Sequence, residues 1–258
     1  MPHIADPKAF AKAALKEIFT DRDPAAIDRY IAAPYTQHNP MAYDGPDGLR
    51  GFVGILPAEP KVTVKTVRAL VDGEFIALHS IYEGFGPEPT VGFDVWRMKD
   101  GKLVEHWDCL SPATAPNPSG HTQTDGATEI TDRSATEANR ALVTRFIEAV
   151  LVGGDFAHLD SFINATTYIQ HNSQIADGLS GLGAAVEAMG KQGIKMAYSQ
   201  LHRTIAEGNF VLAQSEGTFG GTHTAFYDLF RIEAGRIVEH WDVLQTIPEQ
   251  MPHGNGMF

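Results

Sequence analysis

The sequence has little cysteine, little positive charge and no long hydrophobic run. Its 258 residues include one cysteine, Cys109, so an intramolecular disulfide is excluded and a reducing cytoplasm is the expected location. No apolar stretch approaches the ~18 residues needed to cross a bilayer. The amino terminus, from Met1 to Asp6, lacks the basic and apolar parts of a signal peptide.

Acidic residues outnumber basic ones, with 32 Asp and Glu against 20 Lys and Arg and a formal net charge of −12. Nucleic acids and anionic membranes attract basic faces, so neither is expected as a partner. Hydrophobic residues make up 43% of the chain, which is typical of a folded protein. A chain of this length can form one large domain or two smaller ones.

The sequence repeats itself, and this decides between the two possibilities. Val104–Asp108 (Val-Glu-His-Trp-Asp) recurs at Val238–Asp242, and Tyr35–Asn39 recurs, with one change, at Tyr168–Asn172. Further matched positions follow the same order at a nearly constant offset: Asp47 with Asp177, Arg68 with Arg203, Gly73 with Gly208, and Phe75 with Phe210. The chain is therefore predicted to be a tandem duplication.

Composition places the joint between the copies. The stretch after Ser111 is rich in Pro, Gly, Ser and Thr, as linkers are. We therefore predict a first domain over 1–115, a linker over 116–133, a second domain over 134–250 and a carboxyl-terminal tail over 251–258.

Each copy shows helical signals first and strand signals after them. Asp6-Pro7 predicts a helix running to about Phe19, and Ser134 with Glu137 predicts a capping box in the second copy. Short second helices are expected at Asp23 and Asp155, and third helices near 46–56 and 178–192. The period-two pattern that follows has turns at Asp72-Gly73, Asp100-Gly101, Glu207-Gly208 and Ala234-Gly235. This order predicts α+β domains, each an antiparallel sheet covered by three helices.

The last hairpin of each copy determines which side chains share a face. If the strands pair across Asp100-Gly101 without interruption, His106 and Asp108 lie on the same side as Phe93. The opposite side then carries Asp94, Trp96, Glu105 and Trp107. The second copy divides in the same way, with Tyr227, Leu229, His240 and Asp242 on one side and Asp228, Phe230, Glu239 and Trp241 on the other.

Both faces carry large apolar groups, so both are expected to be covered. One face would meet the helices of its own domain and enclose a pocket, and the other would meet the sister sheet in an intramolecular pseudo-dimer. The interface residues would be Trp96, Trp107, Phe230 and Trp241. Arg68 and Arg203 are candidate ion-pair partners of Glu105 and Glu239, or of Asp94 and Asp228. Assembly into a further homo-oligomer stays open.

The preceding strand offers one more polar position in each copy. His79 and Gln214 would add a polar group to each pocket if their side of the strand faces the helices, and would be solvated rim residues otherwise.

Three strings resemble those of SnoaL-like proteins of the NTF2-like superfamily, over nearly the whole chain and twice. They are Tyr-x-Gln-His-Asn, Asp-Gly-Leu-x-Gly and Asp-x-x-Arg-x-x-x-Gly-x-x-Val-Glu-His-Trp-Asp. The resemblance implies a cone formed by a curved sheet wrapped by helices, with a pocket inside. In the polyketide cyclases of this family, an aspartate on the final strand is the acid/base of an aldol ring closure. It matches Asp108 and Asp242, and the pocket histidine two residues earlier matches His106 and His240. The polar groups after the second helix match His38, Asn39, His171 and Asn172.

A carboxylate walled by apolar side chains has a raised pKa, which suits proton transfer near neutral pH. A neighbouring histidine could stabilise the enolate by hydrogen bonding. We therefore expect a lyase or isomerase of the aldol or cyclase type that acts on a small carbonyl compound in each pocket, without metal or organic cofactor. The expected catalytic residues are Asp108, Asp242, His106 and His240. The expected substrate-binding residues are His38, Asn39, His79, Phe93, His171, Asn172, Gln214 and Tyr227.

Other interpretations stay open at this point. His106 and Asp108 could simply hydrogen-bond to each other or to backbone, and with His38 they could form a non-haem metal set. An epoxide-hydrolase-like Asp-Arg-Asp set is disfavoured, because the predicted register puts Asp94 on the opposite face from Asp108. Cys109 is expected to be a packing residue. The main alternative to an enzyme is a small-molecule-binding or scaffold protein.

Overall fold

Two five-stranded sheets organise the chain, and the computed structural model describes residues 4–258. The first three residues, part of the amino terminus considered above, lie outside the described range. The chain divides into a first unit, which extends to Ala113 and also includes Ile247–Phe258, and a second unit, Thr114–Thr246. The stretch predicted as a linker thus lies in the second unit, and the predicted tail lies in the first.

The first unit begins with helices and continues with strands. Its elements are α1 (Pro7–Leu15) with a π-helical extension (Lys16–Thr20), α2 (Ala26–Tyr30), β1 (Ile31–Gln37), α3 (Gly45–Ile55), β2 (Thr63–Asp72), β3 (Phe75–Glu83), β4 (Thr90–Lys99) and β5 (Lys102–Pro112). The sheet order is β1-β5-β4-β3-β2, with β1 parallel to β5 and the other pairs antiparallel. Asp6 caps α1 as predicted, because its carboxylate accepts the Ala9 N–H at 3.0 Å.

The second unit repeats this plan. Its elements are a 3₁₀ turn (Arg133–Ala135), α4 (Thr136–Phe146) with a π-helical extension (Ile147–Val152), a 3₁₀ segment (Phe156–Ser161), β6 (Ile169–Gln170), α5 (Gly178–Lys191), β7 (Met196–Glu207), β8 (Phe210–Phe219), β9 (Thr222–Glu233) and β10 (Arg236–Thr246). The sheet order β6-β10-β9-β8-β7 matches that of the first unit. The predicted capping box is wrong, because α4 begins at Thr136 behind the 3₁₀ turn and no side chain caps it.

The α+β prediction with two tandem domains is confirmed, and the pseudo-dimer packing stays a prediction. In each unit the helices cover one face of the sheet. The first core includes Leu15, Ile27, Leu49, Ile76, Leu78 and Trp96, and the second includes Val143, Ile147, Val211, Phe230 and Ile237. No helix among the described residues is long and apolar enough to span a membrane.

A β-bulge in the last hairpin makes the predicted register wrong. Met98 pairs with Leu103 as expected, but Val104 is an extra residue, so Arg97 pairs with Glu105. All later pairs shift by one position, which exchanges the faces of β4 relative to β5. His106 therefore pairs with Trp96, and Asp108 pairs with Asp94. The same bulge occurs at Val238, so that Phe230 pairs with His240 and Asp228 with Asp242.

The shift corrects two further expectations. Trp96 and Phe230 were expected at an interface, but they lie in the cores of their own units. Trp107 and Trp241 do lie on the face opposite the aspartates, and their interface role stays a prediction. Glu105 and Glu239 form ion pairs with Arg97 and Arg231, which were not among their predicted partners.

Candidate functional site

The end of β1 builds the polar site of the first unit. Because β1 runs parallel to β5, Gln37 lies beside His106. The Gln37 side-chain oxygen accepts the backbone N–H groups of His38 and Asn39, at 3.0 and 2.9 Å. The same oxygen lies 2.9 Å from His106 Nδ1. The two backbone donors establish this atom as an acceptor, so His106 Nδ1 must carry the proton.

This tautomer directs the other ring nitrogen of His106 at a carboxyl group. His106 Nε2 lies 3.2 Å from Asp94 Oδ1, and Tyr82 donates its hydroxyl to Asp94 Oδ2. A neutral histidine with Nδ1 protonated accepts at Nε2, so Asp94 and His106 share one proton. Tyr82, Asp94, His106 and Gln37 thus form one hydrogen-bonded chain through the buried side of the sheet.

Asp108 lies beside this hydrogen-bonded chain, and only one of its two carboxylate oxygens is hydrogen-bonded. Asn39 donates its amide to Asp108 Oδ2 at 2.6 Å. Asp108 Oδ1 is buried and has no hydrogen-bond partner among the described residues, and the whole residue is 4% exposed. A buried acceptor without a donor costs free energy, and such atoms are rare in folded proteins. It is the kind of atom that a substrate could use.

The surroundings of Asp94 and Asp108 give the two carboxyl groups different pKa values. Burial raises the pKa of Asp94 to about 8. Burial also raises the pKa of Asp108 to about 6, opposed by His106 and by the Asn39 hydrogen bond and assisted by Asp94. Burial lowers the pKa of His106. Near neutral pH, Asp94 therefore holds the shared proton while Asp108 is largely ionised.

The second unit reproduces the site. Gln170 and Asn172 take the places of Gln37 and Asn39, with the amide of Asn172 donating to Asp242 Oδ2 at 2.7 Å. His240 Nε2 lies 2.9 Å from Asp228 Oδ1. Burial lowers the pKa of His240, but the Asp228 hydrogen bond and the charges of Asp228 and Asp242 together outweigh it, so the net shift of the pKa is upward. Burial raises the pKa of Asp242.

The tyrosines that contact Asp94 and Asp228 come from different strands. Tyr82 lies on β3, whereas Tyr198, whose hydroxyl lies 3.1 Å from Asp228 Oδ2, lies on β7. Tyr198 pairs with Gly217 across β7 and β8. A side chain at Gly217 would collide with the Tyr198 backbone, since its Cβ would come within 2.8 Å of Tyr198 Cα. The two units therefore place an equivalent hydroxyl from different positions.

His38 and His171 do not join the aspartates as predicted. In an extended segment neighbouring side chains point to opposite sides, so Asn39 reaches Asp108 and His38 turns away. His38 stacks on Trp107 with ring centroids 4.8 Å apart, and its Nε2 lies 3.2 Å from Glu105. The metal set of His38, His106 and Asp108 is therefore not assembled. His171 stacks in the same way on Trp241, at 4.6 Å.

Four more expected site residues lie on the face away from the aspartates because of the bulge. His79 stacks on Phe93, and Phe93 pairs with Cys109, which is buried. Gln214 pairs with Tyr227 in the second unit. Arg68 contacts His79 on that same face, so an Asp-Arg-Asp set is not formed although Asp94 and Asp108 do share a face.

The aspartates that contact the histidines, Asp94 and Asp228, were not predicted as site residues, and neither were the tyrosines or the glutamines. Gln37 and Gln170 stand inside the repeated Tyr-x-Gln-His-Asn string, and Asp94 and Asp228 recur as Asp-x-x-Arg, so the repeat carried a signal for both pairs. The imidazole and two carboxylates of each site also bring their ligand atoms within 4.8 Å, but a cation in the first site would have to displace the proton that Asp94 shares with His106.

Segments outside the sheets hold the backbone of each Gln-His-Asn triplet. In the first unit, the Asn255 amide donates to Gln37 O at 2.9 Å and His253 Nε2 donates to Asn39 O at 2.9 Å. In the second unit, the Asn117 amide donates to Gln170 O at 2.7 Å. These segments, 247–258 and 114–132, act as clasps on the loops that carry Asn39 and Asn172.

Replacing Gln37 by leucine is expected to destabilise the first unit by roughly 2–3 kcal/mol. The change keeps the volume but leaves the Asn39 backbone N–H and His106 Nδ1 without their acceptor, whereas the His38 N–H keeps its bond to His106 O at 2.9 Å. Denaturant unfolding followed by tryptophan fluorescence measures the loss, and the exposed Gln174→Leu variant is the control. Equal stability of both variants would contradict the assigned role of Gln37.

The SnoaL-like domain family matches residues 12–106 and 143–240. No curated protein matches the chain. Similar solved structures include a candidate polyketide cyclase from Acidithiobacillus ferrooxidans (16% identity, TM-score 0.36, covering 43% of this chain and 92% of that one). A candidate ketosteroid isomerase from Kribbella flavida is also similar (19% identity, TM-score 0.37, covering 43% and 82%).

A protein of unknown function with a cystatin-like fold from Xanthomonas campestris is 29% identical (TM-score 0.35, covering 41% of this chain and 89% of that one). The family matches cover most of the chain and confirm the resemblance seen in the repeated motifs. The chain belongs to the SnoaL-like family and carries two tandem SnoaL-like domains.

Proposed function

We propose that the chain is an acid–base enzyme of the isomerase or cyclase type, which removes and returns a proton beside the carbonyl group of a small organic substrate. Asp108 and Asp242 would be the proton acceptors. The observation that carries the proposal is the buried, unpartnered Oδ1 of Asp108, on a carboxylate whose pKa is raised to about 6. Such a group is ionised near neutral pH and basic enough to take a proton.

The rest of each site would keep this carboxylate in place and in the right charge state. Asn39 fixes the other oxygen of Asp108. Both nitrogens of His106 are already engaged, by Gln37 and by Asp94, so the ring offers no N–H to a substrate in this arrangement. We therefore assign His106 and His240 a positioning role rather than the enolate-stabilising role expected from the sequence.

A tyrosine hydroxyl is the better candidate to stabilise the enolate oxygen. Burial, a hydrogen bond from Trp96 and the charge of Asp108 act on Tyr35, and the net effect raises its pKa, so it stays protonated. The protonated Tyr35 hydroxyl would then donate to the substrate oxygen. Tyr168 is in the same state, because its oxygen accepts from the Gln170 amide at 3.2 Å and its pKa is raised by burial.

The test is proton exchange in heavy water. A panel of β-ketoesters and related carbonyl acids is incubated with wild type, with the Asp108→Asn/Asp242→Asn double variant, and with Asp160→Asn, an exposed control. We expect NMR to show catalysed loss of the α-proton signal for wild type and control, and a rate at least ~100-fold lower for the double variant. Equal rates for all three proteins would remove the enzyme proposal in favour of a ligand-binding or scaffold role.

The cytoplasmic location stays a prediction.

A further inference from the structure

We propose that the second unit binds one divalent metal ion, of the zinc or first-row transition series, on His121, Asp125 and His171. These three residues form the linker cluster. Each brings one ligand atom to within 4.8 Å of the other two. Two imidazoles and a carboxylate are a donor set that suits Zn²⁺, Ni²⁺ and Co²⁺.

Carboxylates orient both imidazoles of the linker cluster from behind. His171 Nε2 lies 2.9 Å from Glu239 Oε1, and His121 Nε2 lies 3.2 Å from Asp177 Oδ2. A metal-binding histidine usually donates its other ring N–H to such a carboxylate, which turns the remaining lone pair toward the ion. Here both Nδ1 atoms face Asp125, at 2.7 Å for His171 and 3.8 Å for His121.

Two oxygen atoms lie within hydrogen-bonding distance of His171 Nδ1, an arrangement that favours a proton or a cation between them. Asp125 Oδ1 lies 2.7 Å and the Thr122 carbonyl oxygen 2.9 Å from this nitrogen. With Nε2–H directed to Glu239, a bare Nδ1 lone pair would face the lone pairs of these oxygens, so either a second ring proton or a metal ion lies on Nδ1. Neighbouring ligands with bonds of about 2.1 Å lie about 3.0 Å apart around a six-coordinate ion and about 3.4 Å apart around a tetrahedral one. The spacing therefore suits an ion that displaces the proton and takes Thr122 O as a further ligand.

The loop that carries the linker cluster is ordered and reachable from solvent. Asp125 Oδ1 accepts the Thr122 N–H at 3.1 Å, and the Thr122 hydroxyl oxygen accepts the Asp125 N–H at 3.1 Å. Trp241 Nε1 donates to Asp125 O at 2.9 Å. The His121 and Asp125 side chains are 31% and 43% exposed. An ion can therefore reach a preformed site without opening the core.

The first unit offers a natural comparison. His38 has the same surroundings as His171, with Glu105 at Nε2 and the Gly256 carbonyl oxygen at Nδ1. Within residues 4–258, however, no carboxylate joins His38 in a comparable three-residue group. The proposal therefore requires one ion per chain at the linker cluster, and not two.

Metal titration of the full-length, EDTA-treated protein tests the site. We expect calorimetry with Zn²⁺ at pH 7.5 to show one ion per chain, and His121→Ala or Asp125→Asn to weaken binding at least tenfold. Asp177→Asn, which removes only the orienting carboxylate of His121, should weaken it about tenfold or more. His253→Ala and His223→Ala are matched controls and should bind as wild type does. His223 contacts Glu216 at 3.3 Å on the surface of the second unit.

Fluorescence locates the ion independently of affinity. Ni²⁺ is expected to quench the Trp241 fraction of the emission, because His171 stacks on that indole. Acidification to pH 5.5 should reverse the quenching, since imidazole ligands must lose their protons to bind. Absence of Zn²⁺ binding in wild type, unchanged binding in both His121→Ala and Asp125→Asn, or loss of binding only in Asp108→Asn/Asp242→Asn would overturn the proposal.

Discussion

In a protein that carries Asp242→Asn, the proton exchange that remains is expected to rise with pH around a midpoint near 6. It should fall at least ~100-fold when Asp108 is also replaced by asparagine. Only the ionised Asp108 can accept a proton, and burial raises its pKa to about 6. A carboxyl with an ordinary pKa would already be fully ionised at pH 5. The measurement is the pH dependence of α-proton exchange by NMR on the best substrate of the panel.

The opposite single variant, Asp108→Asn, isolates the second site. There the net upward shift of the His240 pKa favours a positive ring beside Asp242, whereas His106 is shifted downward. We expect the two single variants to have different pH profiles. Identical flat profiles from pH 5 to 8 would contradict the assignment of the aspartates as proton acceptors.

Asp94→Asn is expected to stabilise the first unit at high pH, by roughly 3–5 kcal/mol at pH 9, and to leave stability nearly unchanged at pH 4. Burial raises the pKa of Asp94 from 3.8 to about 8. The folded protein therefore binds this proton more tightly than the unfolded chain, and the stability it contributes is lost as pH rises from about 4 to 8. Each pKa unit corresponds to about 1.4 kcal/mol.

Asparagine imitates the protonated carboxyl at this position. Its amide can donate to His106 Nε2, and its oxygen can accept from Tyr82, so the hydrogen-bonded chain is kept without a titrating group. Denaturant unfolding at pH 4, 7 and 9, followed by the fluorescence of Trp96 and Trp107, measures the difference. The exposed Asp160→Asn should show no pH-dependent gain, and a constant difference for Asp94→Asn at all three pH values would rule out a proton on Asp94.

The sequence was sufficient for the fold because the repeat and the helix signals are local or periodic. It was not sufficient for the faces of the last hairpin. An extra residue such as Val104 leaves no trace in the alternation of polar and apolar residues, yet it reverses which β4 side chains join Asp108. The positions on β5 itself, His106 and Asp108, were predicted on one face correctly, because alternation within one strand does not depend on the bulge.

The site residues on β1 illustrate a second limit. Asn39 was expected beside Asp108 and is found there, while His38, its neighbour, points to the other face. Tyr82 and Tyr198 could not have been found from the repeat at all, because they occupy unrelated positions that converge only when the strands pair. A duplicated sequence identifies the residues that occupy equivalent positions in the two copies. Hydroxyls supplied from different strands are visible only in three dimensions.

The clasps decide where this chain can be divided. Asn255, which holds the Gln37 carbonyl, follows the last strand of the second repeat, and Asn117, which holds the Gln170 carbonyl, follows the last strand of the first. A fragment that ends at the boundary of the sequence repeat would lose the asparagine hydrogen bond that holds its own Asn39 or Asn172 loop. An independent first half would need residues 247–258 joined after Ala113, and an independent second half would have to begin at Thr114.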